Sequence, residues 1–298
     1  MLNNHLKKLL ILFIILNGFI RAQIFSEKDV EICNSKFQLA VDESLTTKLI
    51  GDVIVEIGKS FIGTEYVAHT LEKGKKESLV INLTGLDCTT FLENCLVFSR
   101  LIKMNETTFQ VFQKQLRFER YRKGKINGYP SRLHYFTDWI YDGEKKGIVE
   151  DITKSLGGIP YDKKINFMTT HRKAYEQLSN DEFYKKVGEI ETEINKRKLY
   201  YIPKDEISKT ENKIHNGDLI AITTNIEGLD VSHVGIAIKM PDGKIHYLHA
   251  PDVGQKVQIT EKPLADYIAA HKTQTGIIVC RALEPKKTLP IDHKSNLN

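Results

Sequence analysis

Cys88 stands in Gly85-Leu86-Asp87-Cys88-Thr89-Thr90-Phe91-Leu92-Glu93, where a turn gives way to an apolar pattern of helical period. The first turn of a helix presents unpaired backbone N–H groups and a partial positive charge, so a thiol placed there tends to lose its proton and become nucleophilic. That chemistry is attack on a carbonyl, and it needs a base within hydrogen-bond reach and a third group to hold the base's tautomer. The chain has 10 histidines, so position must choose among them. In the run His233 to Ile238, strand alternation puts His233, Gly235 and Ala237 on one face and Val234, Ile236 and Ile238 on the other. The small-residue face is expected to admit a helix closely and so bring His233 toward Cys88.

The next turn decides whether His249 joins them. A two-residue Asp-Gly loop would put Pro241 in a ladder position whose N–H is required and missing. A three-residue loop, a type I turn followed by Gly243 in the left-handed region, suits Pro241-Asp242-Gly243 better. It sets Met240 opposite Lys244 and Gly235 opposite His249, so His249 shares the face of His233, one diagonal step away. A two-residue loop would flip His249 to the opposite face.

The positioning elements follow from periodicity. Residues 47–60 carry Leu49, Ile50, Val53, Ile54 and Ile57 as a helical stripe, and Leu79 to Leu83 reads as a strand. From Cys88 onward Phe91, Leu92, Cys95, Leu96 and Ile102 repeat at helical spacing, with Thr84 or Asp87 as the cap. Residues 109–122 and 181–198 read as helices. Between them Tyr129 to Trp139 is aromatic and polar without clear period, which fits either a packed loop or a wall of a substrate cleft. The last third turns to short β runs over 217–222, 232–238 and 245–250, punctuated by Gly and Asp as in an antiparallel sheet.

The N-terminus has the form of a secretory signal: Lys7-Lys8, an apolar run from Leu9 to Ile20, and Ala22 before Gln23. The run is short for a membrane span, so removal is expected over retention as an anchor, leaving a periplasmic or secreted protein with no stable membrane insertion. Loss of Lys7, Lys8 and Arg21 lowers the formal charge from +5 to +2, which gives no support for nucleic-acid binding. The 4 cysteines have no zinc or disulfide-scaffold spacing. Cys88 and Cys95, about 10 Å apart along one helix, are out of bridging reach; a Cys33–Cys280 bridge stays open. No repeat or linker divides the chain. The expected organisation is a signal peptide at 1–22, one catalytic domain at 23–284 with an insertion around 105–200, and a polar tail at 285–298.

A cysteine at a helix start followed by histidines on successive hairpin strands resembles the NlpC-type papain-like cysteine hydrolases. More narrowly, the segments Gly63 to Ala68, Gly85 to Glu93, Ser131 to Trp139, Ser232 to Ile236 and Leu248 to Ala250 resemble the N-acetylmuramoyl-L-alanine amidase-like branch, over about residues 50 to 283. The resemblance implies an α+β fold, with a papain-like core in which the nucleophile helix packs on an antiparallel sheet, plus helical insertions. It implies Cys88 as nucleophile, His233 as base and His249 as orienting residue, with Tyr66, Asp87, Ser131, Arg132, Tyr135 and Ser232 as the substrate-binding set. Cys88 and His233 lie 145 positions apart, far more than in minimal domains of this type. The intervening helices and the 131–139 loop therefore read as insertions forming a sugar-binding wall.

The implied partner is a muropeptide. The implied bond is the amide between N-acetylmuramic acid, in its anhydro form, and L-alanine, cleaved without cofactor or metal. Two alternatives accompany this reading: an endopeptidase cutting the stem peptide, and a non-catalytic peptidoglycan-binding module.

Overall fold

The structure is a computed structural model that describes residues 23–72, 74, 76–252 and 255–286. The expected signal at 1–22 and residues 287–298 of the expected tail lie outside the described residues. The chain runs α1 (Glu27–Asp42), α2 (Ile50–Lys59), β1 (Glu65–Tyr66), β2 (Gly85–Leu86), α3 (Cys88–Met104), α4 (Phe109–Arg120) and α5 (Phe136–Lys145). It continues through β3 (Val149–Asp151), β4 (Ile159–Pro160), α6 (Asp181–Asn195), β5 (Tyr200–Pro203), β6 (Leu219–Thr224), β7 (Val231–Lys239), β8 (Ile245–His249), β9 (Gln258–Ile259), α7 (Leu264–Ala269) and β10 (Gln274–Ala282). One-turn helices also occur at Phe167–Thr170 and Ile207–Thr210.

The main sheet is antiparallel in the order β4-β5-β10-β6-β7-β8-β9, with β3 added to β10. Strand alternation gives it two apolar faces. Leu219, Ala221, Val234, Ile236, Ile238 and Leu248 pack with Phe91, Leu92, Cys95 and Leu96 of α3 and with α2. Ile220, Ile222, Ala237, Tyr247, Ile277 and Val279 pack instead with Leu264 and Ile268 of α7. A third cluster, including Tyr129, Tyr135, Leu178, Val187 and Ile194, holds the inserted helices together. The result is an α+β fold with α3 against the middle of the sheet.

Several expectations are corrected. The helix α3 lies on the Val234/Ile236/Ile238 face, away from the Gly235/Ala237 face. The large aliphatic side chains are what a helix buries, and the small residues instead make room for rings. Leu79 to Leu83 is buried but forms no strand, because its pairing reduces to Ile24 against Val80, with Leu79 and Ile81 bonded to Ile24 through backbone atoms. The second half of the 129–139 stretch is the start of α5, with Phe136 and Trp139 buried and stacked. All four cysteines are free.

Buried carboxylates tie the helical elements to one another. Arg120 on α4 meets Glu93 on α3 at 2.8 Å and also donates to the Val80 carbonyl. Asp138 on α5 is shared by Arg122, at 2.6 Å, and Arg197, at 2.8 Å. Among the described residues no helix is long and apolar enough to cross a membrane.

Candidate active site

Cys88 is the first residue of α3, and Asp87 is its N-cap. The cap is reciprocal: Thr90 N–H donates to Asp87 Oδ1 at 2.7 Å, and Asp87 N–H donates to Thr90 Oγ1 at 3.0 Å. This fixes the first turn of the helix and engages the Asp87 carboxylate in capping. Ahead of it, β2 pairs in parallel with β1, setting Tyr66 beside Leu86. Tyr66 thereby comes within the electrostatic reach of Cys88, Asp87 and Asp252. Burial, followed by Cys88 and the carboxylates of Asp87 and Asp252, pushes its phenol up to about 12, so it stays protonated as a hydrogen-bond donor.

The hairpin has the three-residue loop. Met240 N–H donates to Lys244, Gly243 N–H donates to Met240, and Gly243 has φ +80°. The ladder pairs Ile236 with Leu248 and Ala237 with Tyr247, so one further step sets Gly235 opposite His249. The two imidazoles meet, with His233 Nε2 2.8 Å from His249 Nδ1. A bulge between β6 and β7 adds to this: Thr223 pairs with Val231 and Ile222 with His233, leaving Ser232 as the extra residue. Such a bulge turns the strand locally and aims the adjacent side chain. The sulfur of Cys88 receives the backbone N–H of Val234, the residue after His233. The thiol therefore lies against β7 at the residue next to His233.

Gly235 makes the close strand approach possible. A Cβ there would lie 2.8 Å from the Leu248 carbonyl oxygen and 2.9 Å from His249 Cβ. Gly235→Ala is expected to destabilise the protein by about 1–3 kcal/mol, as overpacking does, and to part the two imidazoles. Thermal melting together with the cleavage rate checks this. Wild-type values for both would mean that the approach does not depend on glycine.

The electrostatics differ from the expectation of a thiol ionised by its helix. Burial, then the Asp87 charge, pushes the Cys88 thiol up to about 11, and the N–H groups of Val234 and Thr89 only partly oppose this. Burial pulls His233 down to about 4 against the favourable charge of Asp252, and His249 down to about 3, helped by His233 and His271. At neutral pH the site rests as thiol and neutral imidazoles. The measurable result is that iodoacetamide alkylation of the native protein accelerates roughly tenfold per pH unit up to pH 9, with no plateau near pH 6. Cys33, Cys95 and Cys280 are fully buried, so the signal reports Cys88 and vanishes in Cys88→Ala. A plateau below pH 7 would mean a resting thiolate.

The histidine pair also constrains tautomers. For His233 Nδ1 to accept a proton, Nε2 must carry one and donate it to His249 Nδ1, which leaves the His249 hydrogen on Nε2. That nitrogen is buried with no hydrogen-bond partner among the described residues, and the His249 ring lies 4.8 Å from the Tyr247 ring and 5.5 Å from the Tyr267 ring, centre to centre.

The remaining expected site residues separate. Ser131 Oγ closes a turn onto the Gly128 carbonyl and accepts from Asn127 N–H. Arg132 is buried between Glu72 at 2.7 Å and Glu77 at 3.4 Å. Tyr135 is buried and donates to Glu191 while accepting from Met168 N–H. Ser232 is exposed on the bulge, its hydroxyl toward the Ile222 carbonyl. The structure thus gathers Cys88, His233, His249, Tyr66 and Asp87, engages Ser131 and Tyr135 within the insertion, and ties Arg132 to Glu72 and Glu77 outside it. Asp252 belongs with the first group. Sequence reasoning passed over it, although it follows His249 by only three positions, because its approach to His233 and Tyr66 depends on the loop after β8. That loop is clasped to residues 63–66 by the backbone bonds Tyr66 to Gln255 and Gly63 to Val257.

A family model for N-acetylmuramoyl-L-alanine amidase-like proteins matches residues 56–277, and the chain belongs to that family. Among solved structures, it is similar to an N-acetylmuramoyl-L-alanine amidase from Bacteroides uniformis ATCC 8492, at 37% identity and TM-score 0.75, covering 78% of this chain and 99% of that one. It is also similar to a Bacteroides fragilis protein carried under a provisional xylanase description, at 38% identity and TM-score 0.71, over 75% of this chain and 98% of that one. A Legionella pneumophila protein shares the fold at 24% identity and TM-score 0.66, over 88% of this chain and 98% of that one. No curated protein gives a match. Family and neighbours together make this a protein of the cell-wall amidase type.

Proposed function

We propose that this protein is an exported cysteine amidase with a papain-like NlpC-type site, which hydrolyses the amide between N-acetylmuramic acid, in anhydro-muropeptides, and L-alanine. The observation that carries the reading is the 2.8 Å contact of His233 with His249, next to the Val234 N–H that meets the Cys88 sulfur. As the sulfur bonds to the lactyl carbonyl carbon, its proton passes to His233 Nδ1. The oxyanion is held by the Cys88 N–H, which as the first amide of α3 has no intrahelical acceptor. Collapse breaks the C–N bond, and His233 returns the proton to the departing L-alanine nitrogen. Water then attacks the thioester, giving a proton to His233 as the C–S bond breaks, and the thiolate recovers that proton. His249 keeps His233 in the required tautomer, and Asp252 favours the transient imidazolium.

The xylanase description of one relative suggests glycoside cleavage. That chemistry needs two carboxyl groups flanking the bond, whereas here the Asp87 carboxylate is engaged in capping α3, and the thiol and two imidazoles suit acyl transfer. Digestion of defined anhydro and reducing muropeptides, followed by mass spectrometry, tests the proposal. Release of intact stem peptide from the anhydro form supports it. Truncated peptide would make the protein an endopeptidase, and unchanged substrate would make it a binding module.

A further inference from the structure

We propose that the basic cleft on the inserted helices is a second binding site, for an oligosaccharide carrying carboxylate or phosphate groups. The cleft has a volume of about 820 Å³ and is lined by none of Tyr66, Cys88, His233 or His249. That volume suits a ligand of several sugar units. One wall is the loop after α4, with Arg122, Lys123 and Lys125; the other is formed by Lys145 on α5 together with Lys186, Lys196 and Arg197.

The positive charge is only partly answered within the fold. Lys186 and Lys196 have helical partners in Glu182 and Glu193. Arg122 and Arg197 share the single carboxylate of Asp138. Among the described residues the Nε of Arg122 has no hydrogen-bond partner, so its guanidinium is incompletely satisfied by Asp138 alone. Lys123 and Lys125 are exposed at the rim.

The lining also selects the class of ligand. Asn127, Ser131, Glu189 and Glu193 place donors and acceptors along the lining, and the Tyr141 ring is overlain by Lys145 at 4.0 Å and Arg197 at 3.7 Å. Sugar hydroxyls, which both donate and accept, match that mixture. Basic groups spread over two walls fit several charges along one chain better than a single ion.

Titration calorimetry of the full protein tests this, with oligogalacturonate as the carboxylate probe, a glycerol-phosphate oligomer as the phosphate probe, and neutral xylo-oligosaccharide and oligoglutamate as comparisons. At least one acidic saccharide probe is expected to bind, with affinity falling as salt rises. Whichever of the two binds more tightly identifies the anion. Lys123→Gln/Lys125→Gln should weaken binding at least tenfold at low salt while muropeptide cleavage stays at the wild-type rate. Arg122→Gln should weaken binding similarly, and Cys88→Ala should bind as the wild type does, which separates this site from the proposed reaction. Equal binding of the neutral saccharide, tighter binding of oligoglutamate, or unchanged affinity in the lysine variant would overturn the proposal.

Discussion

Cys88→Ala is expected to lower muropeptide cleavage by on the order of 10⁴-fold or more, the loss typical of removing a covalent nucleophile, while the melting temperature stays within a few degrees of the wild type. The two halves of this expectation have separate origins. The first turn of α3 is fixed by the Asp87–Thr90 capping box, not by the cysteine side chain, and alanine is the best helix former. Only the sulfur meets the Val234 N–H beside His233, and no other thiol is in place to substitute, since Cys33, Cys95 and Cys280 are fully buried. Steady-state cleavage and circular dichroism melting read the two halves independently. Cleavage within tenfold of wild type would exclude Cys88 as the nucleophile.

The largest stability effect is expected at Arg120. Its guanidinium is buried, bonds Glu93 at 2.8 Å and donates to the Val80 carbonyl. Burial already raises the Glu93 pKa, and Arg120 is the first opposing influence. Arg120→Met leaves that carboxylate uncompensated inside the protein, at a cost of about 3–5 kcal/mol, or roughly 10 °C or more in melting temperature. Arg120→Met/Glu93→Leu removes both charges and should recover most of the loss, because an apolar pair of similar volume is often neutral or better. Denaturant melts of the two variants decide the matter: a single variant as stable as wild type would show that the pair is not what joins α4 to α3.

Local chemistry carried the parts of the site that were legible before any coordinates. Asp87 followed by Thr90 and an apolar period marks the start of α3, and Pro241-Asp242-Gly243 dictates a loop length that determines the face of His249. What escaped the sequence was tertiary. Residues 27–42 form a helix whose buried apolar side chains reduce to Cys33, Phe37 and Ala40, too sparse a stripe to stand out. The face of the sheet on which α3 lies was misjudged because small residues admit either a helix or a set of rings. Here they admit Tyr247, His249 and Tyr267. In the 131–135 stretch, polar residues beside aromatics fit a binding wall or a packed turn equally well by composition. Asp230 decides part of that packing by accepting from Thr137 N–H and Oγ1, a partner 93 residues away.

The high proton affinity of the Cys88 thiol also bears on endurance in air. Thiolates attack peroxide and disulfides, so a sulfur protonated at neutral pH is oxidised slowly to sulfenic acid and beyond. With Asp87 and the surrounding burial holding the proton in place, the Cys88 sulfur should stay reduced through long exposure without a resolving cysteine.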